Sequence, residues 1–155
     1  KIADGIFHVK KPKNPGYQVE VDDQLASNTS QTTEVEEKID IAALMAQGDA
    51  ESGAVIFKKC AACHSIDKGG RNKIGPALYD VVGREVGGVA DYKYSKALAS
   101  YSKKWTFEEL NGFLTKPATY LKGTKMSYAG LRKEADRASI IKFLNQNSDV
   151  PNPLP

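Results

Sequence analysis

The chain has 155 residues, 41% of them hydrophobic and 26% charged, with a formal net charge of +3 at pH 7. That length suits one domain with an appendage. Its longest apolar run, Ile41 to Ala46, falls far short of the roughly 20 residues of a membrane-spanning helix. The charge balance lacks the dense basic stripe of a nucleic-acid binder, and two cysteines cannot build the disulfide framework of a small secreted scaffold. Residues 1–38 read as an extension. Lys10-Lys11-Pro12-Lys13-Asn14-Pro15-Gly16 breaks regular structure, Ser27 to Thr33 is polar, and Glu34, Glu36 and Glu37 add acid, so little there can bury a core. Residues 40–46 have the spacing of a short amphipathic helix before Gly48. The boundary is drawn there: 1–47 as an extended acidic tether or surface strap, 48–155 as the folded domain. Asp49 is placed to cap a helix with Glu51 in its first turn, where the helix N-terminus favours negative charge; Gly53, Ile56 and Phe57 share its face. Tyr94 to Tyr101 reads as another short helix. Thr106 to Leu114 reads as a third, with Thr106 as cap, Glu108 and Glu109 near its start, and Pro117 as its stop. Arg137 to Gln146 carries Ile140, Ile141, Phe143 and Leu144 at helical spacing. No useful run alternates as a strand would, so the expected class is all-α.

One motif carries chemistry: Cys60-Ala61-Ala62-Cys63-His64. Cys-x-x-Cys-His is the attachment signature of c-type haem. One helical turn brings thiols three residues apart onto a common side, within reach of the vinyl groups of one porphyrin, and the next residue points its imidazole at the iron. A thioredoxin-like redox pair would need a preceding strand and a βαβ context, and neither is visible. A structural zinc site needs four ligands, whereas the only other histidine is the distant His8. The expectation is one haem c, covalent through Cys60 and Cys63, with His64 on the iron. Candidates for the sixth position are water, Met45, Met126 and His8. His8 lies in a charged, proline-rich stretch, and Met45 sits at helical spacing, as a packing residue does. Met126 lies in Lys122-Gly123-Thr124-Lys125-Met126-Ser127-Tyr128-Ala129-Gly130, a glycine-bounded segment without helical periodicity. Such a loop can present a thioether, and Met126 is the expected ligand.

From about Gly48 to Asn147 the chain resembles a class I cytochrome c of the mitochondrial and α-proteobacterial type. The matching stretches are Gly48-Asp49-Ala50-Glu51-Ser52-Gly53, the haem motif, Lys68-Gly69-Gly70, Gly75-Pro76-Ala77-Leu78, Gly83-Arg84 and Lys122-Gly123-Thr124-Lys125-Met126. The resemblance implies a compact all-α fold around one haem with His/Met axial ligation, serving electron transfer. It places Gly53 and Phe57 against Ile140 and Phe143 where the first and last helices cross. It implies that the Pro76 carbonyl accepts a hydrogen bond from His64, making that ligand more basic. It puts Trp105, Tyr92, Tyr94 and Arg84 near the haem propionates, with Trp105 and Tyr94 offering an N–H or O–H. Three positions depart from the family pattern: Phe113 stands where many relatives have tyrosine, Lys122 where they have proline, and Leu98 where they often have asparagine.

Charge divides unevenly. Residues 1–48 hold five basic and eight acidic side chains, and the remainder holds 17 basic and 11 acidic. Lys59, Lys73, Lys125, Arg132 and Lys133 match positions that ring the exposed haem edge in the family, which implies docking to acidic faces. The implied partners are a cytochrome bc1 complex as donor and a cytochrome c oxidase as acceptor, with no nucleic acid. Val9-Lys10-Lys11-Pro12-Lys13-Asn14-Pro15-Gly16-Tyr17 resembles the segment that joins a membrane helix to the haem domain in anchored α-proteobacterial cytochromes c. A chain that starts on Lys1 leaves room for a signal peptide or an anchor upstream. That implies a tethered carrier with its haem in the periplasm. Two other function classes stand beside it: a c-type haem enzyme or gas sensor, which needs a displaceable sixth ligand, and a redox-inert binding module.

Overall fold

The computed structural model describes residues 39–155. The extension over 1–38, with His8 and the Val9–Tyr17 segment, lies outside the described residues. Helix α1 (Ile41–Ala46) begins where the Asp40 carboxylate accepts the Ala43 N–H at 3.1 Å. Helix α2 (Ala50–Phe57) begins the same way, Asp49 accepting from Ser52 N–H at 2.7 Å. Each cap satisfies one of the N–H groups that a first helical turn leaves without a partner. That bond holds the Asp49 carboxyl below its usual pKa.

The helix read over Tyr94 to Tyr101 shortens to α3 (Lys96–Ala99), capped by Ser95. Helix α4 (Phe107–Thr115) starts at the expected cap, Thr106 accepting from Glu109 N–H at 3.2 Å. Pro117 does more than stop it. The chain breaks at Lys116, and Pro117 opens α5 (Pro117–Tyr120), because its fixed φ suits a first helical position and its missing N–H is no loss there. Helix α6 (Glu134–Gln146) begins nearly a turn before the apolar spacing showed. Glu134 and Asp136 carry no apolar signal, but they favour a helix N-terminus electrostatically. Among the described residues the only strand-like pairing is an isolated bridge between Glu85 and Lys104, and no helix is long and apolar enough to cross a membrane.

Helices α2 and α6 cross where both backbones come close. A Cβ on Gly53 would lie 2.2 Å from the Ser139 carbonyl oxygen and 2.6 Å from Phe143 Cβ. The Asp49 N–H donates to Ser139 Oγ at 3.1 Å, and Lys142 Nζ donates to the Gly48 carbonyl at 2.9 Å. The Phe57 and Phe143 rings stand 5.3 Å apart. Phe143 is thus at the crossing as expected, but Ser139 takes the place assigned to Ile140, which is almost fully buried and lines the central cavity. Helix α1 also packs on α6, with Leu44 and Met45 buried. Met45 belongs to the core.

Arg137, 4% exposed, ties α6 to α4 and to the loop between them. Its Nε donates to Asn111 Oδ1 at 2.6 Å, and one terminal nitrogen donates to the carbonyls of Leu131 and Arg132 at 2.9 and 2.8 Å. A charge buried this deeply persists only with such a set of acceptors.

Candidate functional site

A cavity of about 320 Å³ is lined by residues from the end of α2, the loops that follow it, α4, the 125–128 loop and α6. Cys60, Cys63, His64, Pro76, Arg84, Tyr92, Tyr94, Trp105 and Met126 all line it. Most of the remaining wall is apolar, with Phe57, Leu78, Val81, Leu98, Leu110, Phe113, Leu114, Ile140 and Leu144. Of the departures from the family pattern, Leu98 and Phe113 therefore add apolar surface to the cavity itself.

The Cys-x-x-Cys-His segment continues α2 as a series of tight turns. The N–H groups of Cys63 and His64 both donate to the Cys60 carbonyl at 2.9 Å, which keeps the two side chains of the pair on one local scaffold. Cys60 and Cys63 are both half-buried and form no disulfide with each other. The Gly75 N–H donates to the Cys63 carbonyl at 2.8 Å, drawing the next loop across the histidine. His64 Nδ1 lies 2.7 Å from the Pro76 carbonyl oxygen. A carbonyl only accepts, so Nδ1 carries the proton and Nε2 keeps its lone pair, the form in which imidazole binds a metal. Burial also lowers the His64 pKa, which favours this neutral ring.

Arg84 and Trp105 are 21 positions apart in sequence and are brought together by backbone pairing. Gly83 N–H donates to the Trp105 carbonyl and Trp105 N–H to the Arg84 carbonyl, both at 2.8 Å. The Arg84 guanidinium donates to the carbonyls of Tyr79 and Ala77 at 3.1 and 3.0 Å, while its buried Nε has no hydrogen-bond partner among the described residues. Burial pulls its pKa down, as expected for a cation held out of water. The Tyr92 hydroxyl donates to the Ile74 carbonyl at 2.7 Å, so it is already engaged by backbone. The Tyr94 hydroxyl accepts from Val89 N–H at 3.4 Å, leaving its own proton free to donate.

Met126 is half-buried in a loop fixed at both ends. At one end Gly123 turns with φ +89°, and Thr124 Oγ1 accepts the Met126 N–H at 3.2 Å. At the other, Leu131 N–H donates to the Leu114 carbonyl at 2.8 Å, beside the Arg137 bonds described above. Gly130, at φ +94°, passes so near α4 that a Cβ would meet the Thr115 carbonyl oxygen at 2.1 Å.

The residues present fit a haem. An apolar cavity receives a macrocycle, two thiols and a lone-pair imidazole line it, and a buried guanidinium N–H without an acceptor suits a carboxylate. Of the basic residues matched to docking positions, Lys59, Lys73, Lys125, Arg132 and Lys133 are all exposed. Lys59 and Lys125 also line the cavity, while Lys73 Nζ caps the Ala61 carbonyl inside the haem motif at 2.7 Å. Sequence reasoning did not single out Tyr128 and Ser127, which line the cavity beside Met126. Their adjacency to the expected ligand was the available signal.

A family model described as cytochrome c matches residues 50–148. The chain is 45% identical over 136 residues to a protein named cytochrome c homolog of Rickettsia bellii, spanning 88% of this chain and 77% of that one. It is 36% identical over 154 residues to a cytochrome c homolog of Bradyrhizobium diazoefficiens, spanning 99% and 84%. Against a cytochrome c of Cochliobolus lunatus it is 44% identical over 103 residues, spanning 66% and 95%.

Proposed function

The chain belongs to the cytochrome c family, an electron carrier with one haem c bound covalently through Cys60 and Cys63, and from that premise we propose that it shuttles electrons from a cytochrome bc1 complex to a terminal oxidase, with His64 and Met126 as the residues that would hold the haem iron. The observation that carries this reading is the single cavity that both thiols, His64 and Met126 line, with His64 Nδ1 held 2.7 Å from the Pro76 carbonyl.

Bound haem supplies a metal centre that takes up and gives back one electron. The chain's own residues determine how readily. The Pro76 carbonyl fixes the imidazole and raises its basicity. A methionine thioether favours the reduced state relative to a second nitrogen ligand. The apolar wall keeps water away, which disfavours additional charge at the metal. Arg84 offers its free Nε–H, and Tyr94 its hydroxyl, to the carboxylates of the group. With His64 held by the Pro76 carbonyl and Met126 in a loop fixed at both ends, little of the protein would have to reorganise when the bound group gains or loses an electron.

Lys59, Lys73, Lys125, Arg132 and Lys133 form the docking face in this reading. Exposed cations steer encounter with an acidic partner surface and lose that effect as salt screens them. The periplasmic side of a bacterial inner membrane is the proposed location, because haem attachment to Cys-x-x-Cys-His takes place outside the bacterial cytoplasm. The likeness of Val9–Tyr17 to a linker supports a tethered form, which would raise the effective concentration of the carrier near both complexes.

The test is reduction of the haem-loaded protein by a cytochrome bc1 complex across a salt series. Efficient reduction is expected, with a rate that falls as salt rises. Lys125→Glu should slow it several-fold at low salt and have little effect at high salt. An intact protein that the complex fails to reduce sinks the proposal.

A further inference from the structure

Residues 149–155 lie beyond the matched family segment, yet they fold back onto the loop that carries Arg84. Asn152 makes three hydrogen bonds. Its N–H donates to Asn145 Oδ1 at 3.0 Å, its carbonyl accepts from Asn145 Nδ2 at 2.8 Å, and its own Nδ2 donates to the Val82 carbonyl at 2.9 Å. Asn145 is buried in the last turn of α6, so the reciprocal pair fixes the tail to the helix and the third bond fixes the tail to the loop. Gly83 allows the approach: it has φ +85°, and a Cβ there would lie 3.2 Å from Asn152 Oδ1. A second grip holds the other end of the loop, where the Tyr79 hydroxyl donates to Asp149 Oδ1 at 2.9 Å and Asp80 N–H donates to the Asn147 carbonyl at 2.8 Å.

Arg84 depends on what this tail holds. Its guanidinium rests on the carbonyls of Tyr79 and Ala77, and only its buried Nε is left without an acceptor. We propose that Asn152 is a positioning residue for Arg84, clamping the 79–83 loop so that the guanidinium stays aimed at the carboxylates of the haem; this rests on the reading of Arg84 given above. Releasing the clamp lets the guanidinium drift, leaves a carboxylate less well neutralised, and favours the oxidised iron, which carries one more positive charge.

The experiment is an equilibrium redox titration of the full haem-loaded chain as wild type, Asn152→Ala, Tyr79→Phe, Arg84→Gln and the Asn152→Ala/Arg84→Gln double variant, with thermal unfolding measured beside it. Arg84→Gln should lower the midpoint potential, Asn152→Ala should lower it part of the way, and the double variant should match Arg84→Gln alone. Tyr79→Phe removes a peripheral hydroxyl and should shift the potential the same way by less; it carries the test if Asn152→Ala fails to fold. The proposal is overturned if the tail variants lower only the melting temperature, or if the Asn152→Ala shift persists undiminished without Arg84. An unchanged potential in Arg84→Gln overturns the reading of Arg84 itself, and a shift in Asn152→Ala beside it would show that the tail acts by another route.

Discussion

Gly75 lies flat against the imidazole of His64: a Cβ at position 75 would sit 2.2 Å from Cε1 and 2.7 Å from each ring nitrogen. The ring therefore has a wall on one side and the Pro76 carbonyl at Nδ1, and the two neighbouring residues set its place and its tautomer together.

Gly75→Ala should push the imidazole off that wall. Overpacking of this kind costs about 1–3 kcal/mol, and the displaced ring should also alter the absorption spectrum of the haem-loaded protein. Thermal unfolding and the ferric spectrum check this. An alanine variant with wild-type stability and spectrum would contradict the packing.

The α2–α6 crossing makes a second prediction by contrast. At Gly53 an added Cβ meets the backbone oxygen of Ser139 at 2.2 Å, whereas at Gly69 nothing lies within 4 Å, although φ is +71°. Gly53→Ala must separate two helices, with a loss of about 1–3 kcal/mol or more. Gly69→Ala bears only the backbone cost of the left-handed region, about 1–2 kcal/mol. Denaturant unfolding should rank Gly53→Ala as the more damaging and leave the slope m nearly unchanged in both. Equal losses would mean that the helices part more easily than their packing implies.

These contacts also show what could be read from residues in advance. The haem motif, the caps at Asp49 and Thr106 and the apolar face of the last helix are local signals, and each has its counterpart in the structure. The resemblance brought Arg84 and Trp105 to one site, but no local pattern could, because backbone bonds between distant loops join them. The start of α6 was missed because its first residues are acidic and lack periodicity. The buried role of Arg137 was missed because an arginine inside a helical segment reads as a solvated side chain; the convergence of Asn111, Leu131 and Arg132 around it, with the Glu134 carboxylate 3.8 Å away, accounts for its burial. The tail after α6 went unread because Pro151 and Pro153 deny it any regular pattern.

Glu109 gives a pH dependence. Burial by itself raises the pKa of its carboxyl, but hydrogen bonds from Lys103, Tyr120 and Tyr101 outweigh that and hold it below the ordinary carboxylate value. The two tyrosine bonds measure 2.7 and 2.8 Å. A carboxyl depressed in the folded state contributes stability that is complete above its unfolded pKa, about 4.3. That contribution is lost as pH falls through the folded value. The stability difference between wild type and Glu109→Gln should therefore be flat from pH 7 to about 5 and shrink below that. Urea unfolding of both proteins across this range measures it. A difference that stays constant down to pH 3 would remove Glu109 from the acid response.

Ligation by Met126 is the central claim, and the ferric absorption spectrum tests it most directly. The haem-loaded protein should show the weak far-red sulfur–iron band, Met126→Leu should abolish it, and Met45→Leu, a change inside the core, should leave it in place. A wild type without the band, or a Met126→Leu variant that keeps it, would contradict the account.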